Sequence, residues 1–288
     1  GQIYIPVMNY GLMIACIGVV LAFKQSSGLA GAYGIAVTAT MTITSIIYFF
    51  VLIKVRKWTL WRAAPLVGVF LFFDIAYFGA NMLKLFQGGW FPLAVAAVIM
   101  ACMTTWKDGR YQLGQKLMQS RLPIDLFLED LRMHPLQRVR GTAVFMTVSP
   151  EGTPPALLHH VKHNHMLHEK VILFTMITLD IPLVASEERI LIEDLGQGFY
   201  RLVSKFGYME KPDVPKIMSL AIKKGMKTDL ALTTYFMGRE TLLTTGTSKM
   251  MAWRKGLFAF MARNAQSPMS YFGIPPNRVI EIGAQIEL

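Results

Sequence analysis

Four long apolar runs fill the first third of the chain, at residues 7–23, 29–53, 63–85 and 89–106. Crossing a bilayer core takes about 17–25 helical residues, and each run fits that length. Buried helices of a large soluble protein are also apolar. Four such runs in a row, joined by short polar loops, read instead as four membrane spans. After residue 106 the pattern changes. The segments "GRYQLGQKLMQS" and "LPIDLFLEDLRMHP" have the spacing of amphipathic helices and mark a juxtamembrane linker over 107–141. From Thr142 short strand patterns take over: "TAVFMTV" and "KVILFTMIT" as buried strands, "RILIED" and "FYRLVSKFG" as half-exposed ones, then "LALTTYFMG" and "NRVIEIGAQIE". Helix-like stretches lie among them, "PPALLHHVKHNHMLH", "PDVPKIMSLAIKK" and "KMMAWRKGLFAFMARNA". Strand–helix–strand order predicts an α/β domain over 142–288 with a sheet at least partly parallel.

Charge sharpens this division. The chain has 29 Lys and Arg against 18 Asp and Glu, yet only seven of these residues precede position 107. The loop "KVRKWTLWR" carries Lys54, Arg56, Lys57 and Arg62, and Lys107, Arg110, Lys116 and Arg121 follow the fourth run. The other two loops hold one lysine each. Positive-inside bias therefore places both basic segments, and everything after Trp106, in the cytoplasm. Trp58, Trp61, Trp90 and Trp106 sit near span ends, where an aromatic belt belongs. The net charge of +11 would also suit a nucleic-acid binder, but the basic residues gather beside the membrane runs and no nucleic-acid motif accompanies them. The two cysteines, Cys16 and Cys102, lie inside apolar runs and form no disulfide framework. The chain opens on Gly1, without a methionine or a signal-peptide pattern, so it reads as a fragment or as a chain with processed numbering.

Candidate chemistry concentrates on one residue. Asp74 lies near the middle of the third run, in "GVFLFFDIAYFGANMLKL". An acidic side chain at a helix centre costs ~2.5–3.5 kcal/mol on insertion scales and needs compensation. On a helix Asp74 shares a face with Tyr77, Asn81 and Lys84. Two readings stay open: a permanently protonated Asp74 in a buried hydrogen bond, or a group that moves a proton or cation. In the second run Thr38, Thr42 and Ser45 share a face with Gly31 and Gly34. Close helix packing is the leading reading there, and lining an ion path the second. Pro6, Pro65 and Pro92 sit at helix starts, so no proline-broken span is expected.

Enzyme signatures are absent. "TGTSK" lacks the spacing of a phosphate loop, and "DLGQGFYR" is too short for a dinucleotide fingerprint. Five histidines cluster at His159, His160, His163, His165 and His168. His159 and His163, four apart, can face one metal from a helix, but with no nearby cysteine and no HExxH a hydrogen-bonded helix end is the stronger reading.

These residues resemble one family. "GQIYIP", "AYGIAVT", "FDIAYFGANMLKLFQGGWFPL", "MTTWK", "GTAVFM", "HHVKHNHMLHEKVIL", "MGRE", "RNA" and "IPPNRVIEIGAQIEL" occur in order through both halves and are similar to the KUP/HAK/KT potassium uptake permeases. The resemblance implies an α-helical membrane bundle, the last four transmembrane helices of a twelve-span transporter of the amino acid/polyamine/organocation type, followed by the α/β cytoplasmic domain. It implies potassium uptake across the inner membrane, with potassium:proton symport, and no resident cofactor. Expected partners are the lipid bilayer, the potassium ion, the coupled proton, eight further spans and a second copy in a homodimer. The family's intramembrane Asp falls on Asp74, with Asn81 in the same stretch. Tyr77, Thr38 and Thr42 join them as ion- or proton-path candidates. His159, His163 and His168 match the family's cytoplasmic motif and remain weak metal candidates; His160 and His165 depart from it. The alternative reading is a membrane-anchored regulatory α/β module that senses a cytoplasmic ligand.

Overall fold

A computed structural model of the chain describes residues 5–119, 122–246, 250–265 and 272–287. Most of "GQIYIP" and "TGTSK" falls outside the described residues. The chain divides into two compact units, Gly1–Met103 and Thr104–Leu288.

The first unit is helical. Helices α1 (Pro6–Phe23), α2 (Ser26–Lys54), α3 (Leu60–Met82) and α4 (Trp90–Gln119) are each long and apolar enough to cross a membrane. α3 starts and ends about a turn before the expected run. It stops at Met82, and residues Leu85–Gln87 form a 3-10 turn ending at Gly88. Gly88 has φ +119°, and a Cβ there would lie 2.5 Å from the Gly28 carbonyl oxygen, so both conformation and space require glycine. Pro65 is not at the helix start, as expected, but inside its second turn. Its missing N–H leaves the Trp61 carbonyl without a helical donor.

The fourth helix departs further from expectation. "GRYQLGQKLMQS" is no separate linker helix. As far as Gln119 it continues α4 without a break, passing through Asp108, Gly109 and Gly114, with Gly109 and Leu113 packed on Phe258. The second amphipathic pattern forms α5 (Ile124–Met133), which buries Ile124, Phe127, Leu128 and Leu131.

Among the described residues the second unit holds six strands: β1 (Gln137–Thr147), β2 (Met166–Leu179), β3 (Ile190–Gly196), β4 (Phe199–Gly207), β5 (Thr233–Leu243) and β6 (Val279–Glu287). Their order is β3-β4-β2-β1-β5-β6. All neighbours are parallel except the β3–β4 hairpin. Three helices join them, α6 (Pro155–Asn164), α7 (Val214–Lys223) and α8 (Ala252–Arg263). Alternate residues of the central strands feed opposite faces, as a period of two demands. Ala143, Phe145, Val171 and Leu173 pack under α5 and α6. Val144, Ile172, Phe174 and Tyr235 pack under α7.

β4 corrects another expectation. Its polar alternation suggested a half-exposed strand, yet Phe199, Leu202, Val203, Ser204 and Phe206 are all buried. β4 lies between β2 and β3, so both of its edges are covered. The helix-like run ending at His168 is also shorter than its pattern. α6 stops at Asn164, His165 takes a left-handed cap at φ 48°, and Met166 opens β2. α8 packs on the end of α4: Phe258 is fully buried against Leu113 and Met250, and Arg254 binds the Thr105 hydroxyl (3.1 Å) and the Asp108 carboxylate (2.8 Å).

Candidate functional site

Asp74 lies in a seam between α2 and α3. Two sequence repeats build it. On α2, Gly31, Thr38, Ser45 and Leu52 recur every seventh residue; on α3, Val67, Asp74 and Asn81 do the same. Seven residues are nearly two helical turns, so each set makes one stripe. The stripes meet antiparallel. Leu52 packs on Ala63 and Val67 at one end. Ser45 meets Asp74 in the middle. At the other end a Cβ on Gly34 would fall 2.5 Å from Asn81 Oδ1, and one on Gly31 would fall 3.3 Å from the Gln87 carbonyl. Glycine at those two positions lets the backbones approach.

At the centre the Ser45 hydroxyl donates to Asp74 Oδ2 at 2.5 Å. Asp74 is 6% exposed. The carboxylate therefore has a partner within this chain, on the facing helix. Ser45 belonged to the expected small-residue stripe, but its pairing with Asp74 was not foreseen. The magnitudes leave a gap, however. An interhelical hydrogen bond in a membrane averages ~0.6 kcal/mol and reaches ~1.7. A carboxylate at mid-span costs ~2.5–3.5 kcal/mol. Ser45 alone offsets less than that, so the balance requires a bound proton, a cation or further polar groups.

The other expected path residues divide. Thr38 is buried, but its hydroxyl donates to the Gly34 carbonyl (2.8 Å), and the Thr42 hydroxyl donates to the Thr38 carbonyl (2.9 Å). Both protons are bound to their own helix, leaving only oxygen lone pairs toward the seam. Asn81 is half-buried, and its amide donates to the Tyr77 carbonyl at 3.0 Å. Tyr77 is 59% exposed and lies outside the seam.

The histidines regroup as well. His159 and His163 stack on each other with centroids 6.0 Å apart, and His163 is exposed. His168, on β2, instead lies beside His160, with ring centroids 6.4 Å apart. Both flank Phe236, which stacks on Phe145 at 4.7 Å. Asn164 donates to His160 Nδ1 at 2.9 Å. His160 Nε2 and His168 Nδ1 are buried without a hydrogen-bond partner among the described residues. Burial lowers the pKa of both rings, and the proximity of His168 lowers that of His160 further. Both rings sit in an aromatic core that disfavours their charged form. The expected trio His159, His163 and His168 is divided between a helix face and a strand, and among the described residues no three His, Cys, Asp or Glu side chains converge on a metal.

Comparison with known proteins covers both units. Residues 1–111 match the family described as K+ potassium transporter integral membrane domain, and residues 140–288 match the K+ potassium transporter C-terminal domain. The "Probable potassium transport system protein Kup 2" of Syntrophobacter fumaroxidans is 58% identical over 100% of this chain and 45% of that protein. The "Probable potassium transport system protein Kup" of Anaeromyxobacter sp. (strain Fw109-5) is 50% identical over 100% of this chain and 44% of its own length. The corresponding protein of Myxococcus xanthus is 48% identical, with the same coverage of 100% and 44%. The chain thus spans about half the length of the curated relatives it matches.

Proposed function

The chain belongs to the K+ potassium transporter family, the KUP/HAK/KT permeases, and on that premise we propose that it is the C-terminal part of a proton-coupled potassium uptake system. In this reading α1–α4 are the last four of twelve spans of an amino acid/polyamine/organocation-type bundle in the inner membrane, and the α/β unit lies in the cytoplasm. Eight further spans supply the broken helices and most of the cation site. The basic residues after Trp106 support the cytoplasmic placement.

The observation that carries the proposal is the buried Asp74–Ser45 contact in the α2–α3 seam. A hydroxyl both donates and accepts. Ser45 can therefore donate to an ionised Asp74 and accept from a protonated one. The seam keeps its contact in both states, so Asp74 can take up and release a proton without losing its partner. A cation held by the further spans would neutralise the same carboxylate when the proton leaves. Relatives along the whole chain are potassium transport proteins, which leaves a free-standing sensor module without separate support.

The test is potassium uptake by the complete transporter in potassium-starved cells. Asp74→Asn keeps the side-chain volume and a hydrogen-bonding capacity toward Ser45 but cannot exchange a proton. Uptake should be lost, or should lose its pH dependence. Uptake at the normal rate with the normal pH profile would refute the role.

A further inference from the structure

A crevice of about 600 Å³ opens in the α/β unit at the carboxyl ends of β1 and β5. Its origin is topological. From β1 the chain crosses through α6 to β2 on one side; β5 and β6 lie on the other side. Open sheets bind ligands where the crossovers diverge in this way. The register shows the opening directly. β1 and β5 pair only as far as Phe145 and Phe236. Beyond that point β1 continues beside β2 and β5 beside β6, so Met146–Val148 and Met237–Glu240 part.

The walls are mostly apolar, formed by Met146, Met176, Met237, Phe272, Ile282 and Leu113. Methionine-rich walls adapt to flat, irregular ligands. Two glycines face the open space: a Cβ on Gly114 or Gly238 would meet nothing within 4 Å. Polar groups line it as well, among them those where α6 begins. Thr153 lines the crevice, is 1% exposed, and its hydroxyl has no hydrogen-bond partner among the described residues. In the first turn of α6 the Ala156 N–H is one of those that intrahelical bonding leaves free. His159, one turn further, and Arg110 of α4 lie on the same lining. Glu151 lies at the rim as an acceptor.

We propose that this crevice binds a nucleoside monophosphate, with its phosphate at the start of α6, its base between the methionines and Phe272, and an exocyclic amine on Glu151. The charge count selects one phosphate. Arg239 is paired with Glu281 at 3.0 Å, and the Arg110 charge acts on Glu240, whose pKa burial raises. Pro154 and Pro155 remove two N–H donors from the helix start. Little uncompensated positive charge is left for a di- or triphosphate. Arg110, Leu113, Gly114 and Leu117 all belong to α4, which begins as the fourth apolar helix at Trp90. A bound ligand therefore touches a helix shared with the membrane segment.

The experiment is calorimetric titration of the purified, detergent-solubilised chain with adenosine monophosphate, adenosine and inorganic phosphate. Adenosine monophosphate should bind one to one. Removing its phosphate or its base should weaken binding about tenfold or more, the worth of one charge-assisted hydrogen bond or of the apolar contact. Gly114→Phe fills the crevice and gains helix propensity, so it should keep its melting temperature and lose binding. No binding at millimolar adenosine monophosphate, adenosine binding equally well, or unchanged binding in a folded Gly114→Phe would each overturn the proposal.

Discussion

Gly109→Ala tests how α4 is fastened to the α/β unit. Alanine favours a helix over glycine by up to ~1 kcal/mol, so on an open helix face the change would stabilise. Gly109 is not on an open face. A Cβ there would lie 2.4 Å from Cγ and Cδ2 of Phe258. Phe258 is 0% exposed and packs against Leu113, Met250 and the Trp106 ring, so its ring has no free volume to move into. Overpacking of this kind costs ~1–3 kcal/mol. With a clash cost near the upper end, the net loss reaches about 2 kcal/mol. For a unit of this size that lowers the melting temperature by up to roughly 8 °C. Thermal melting of the purified chain in detergent reads the shift. Phe258→Leu removes the clashing ring, so the double variant should be less destabilised than the two single variants added together. A rise in melting temperature for Gly109→Ala alone would mean that helix propensity governs the position and that α8 does not seat on α4 through this glycine.

Three further outcomes follow from the same geometry. Ser45→Ala removes the hydroxyl that crosses the seam to Asp74 and should cost ~0.6–1.7 kcal/mol of stability in detergent, with Ser45→Thr losing less; no measurable change would sever the contact from the packing. Glu210 accepts from the N–H groups of Val184 and Gly207 and from Arg189, and its pKa is lowered chiefly by the Gly207 N–H and then by Arg189. Glu210→Ala removes this acceptor but leaves Arg189 its bond to the Val184 carbonyl, and should cost ~1.5–3 kcal/mol by denaturant melting, whereas a loss under ~0.5 kcal/mol would argue against a clasp. His160 and His168 hold protons less readily folded than unfolded, so their contribution is intact above about pH 6.5 and is lost as pH falls below it. The unit should therefore destabilise on acidification through that range, and replacing both rings with glutamine should flatten the dependence.

What the sequence discloses depends on which physical constraint acts locally. A bilayer demands about 20 apolar residues from every crossing helix, so the four spans are written in composition. The end of α4 is not, because the charges after Trp106 mark where the chain leaves oil, not where it leaves the helix. Asp108, Gly109 and Gly114 are residue types that often end a helix, yet α4 runs through all three, with Gly109 packed on Phe258, so the sequence alone does not show the continuation. Around Asp74, Tyr77 and Asn81 both looked like companions. A residue three positions on is rotated by about 60° and one seven positions on by only about 20°, so the seam keeps Asn81 and excludes Tyr77. Ser45 was invisible as a partner because pairing register between two helices is a tertiary fact. The histidines fail for a related reason. Spacing along a helix favoured His159 with His163, but the left-handed cap at His165 turns the chain into β2 and brings His168 back beside His160. Lipid, helix period and strand alternation act on neighbouring residues and are legible. The sites arise where two elements meet, and there the sequence supplies candidates while packing selects among them.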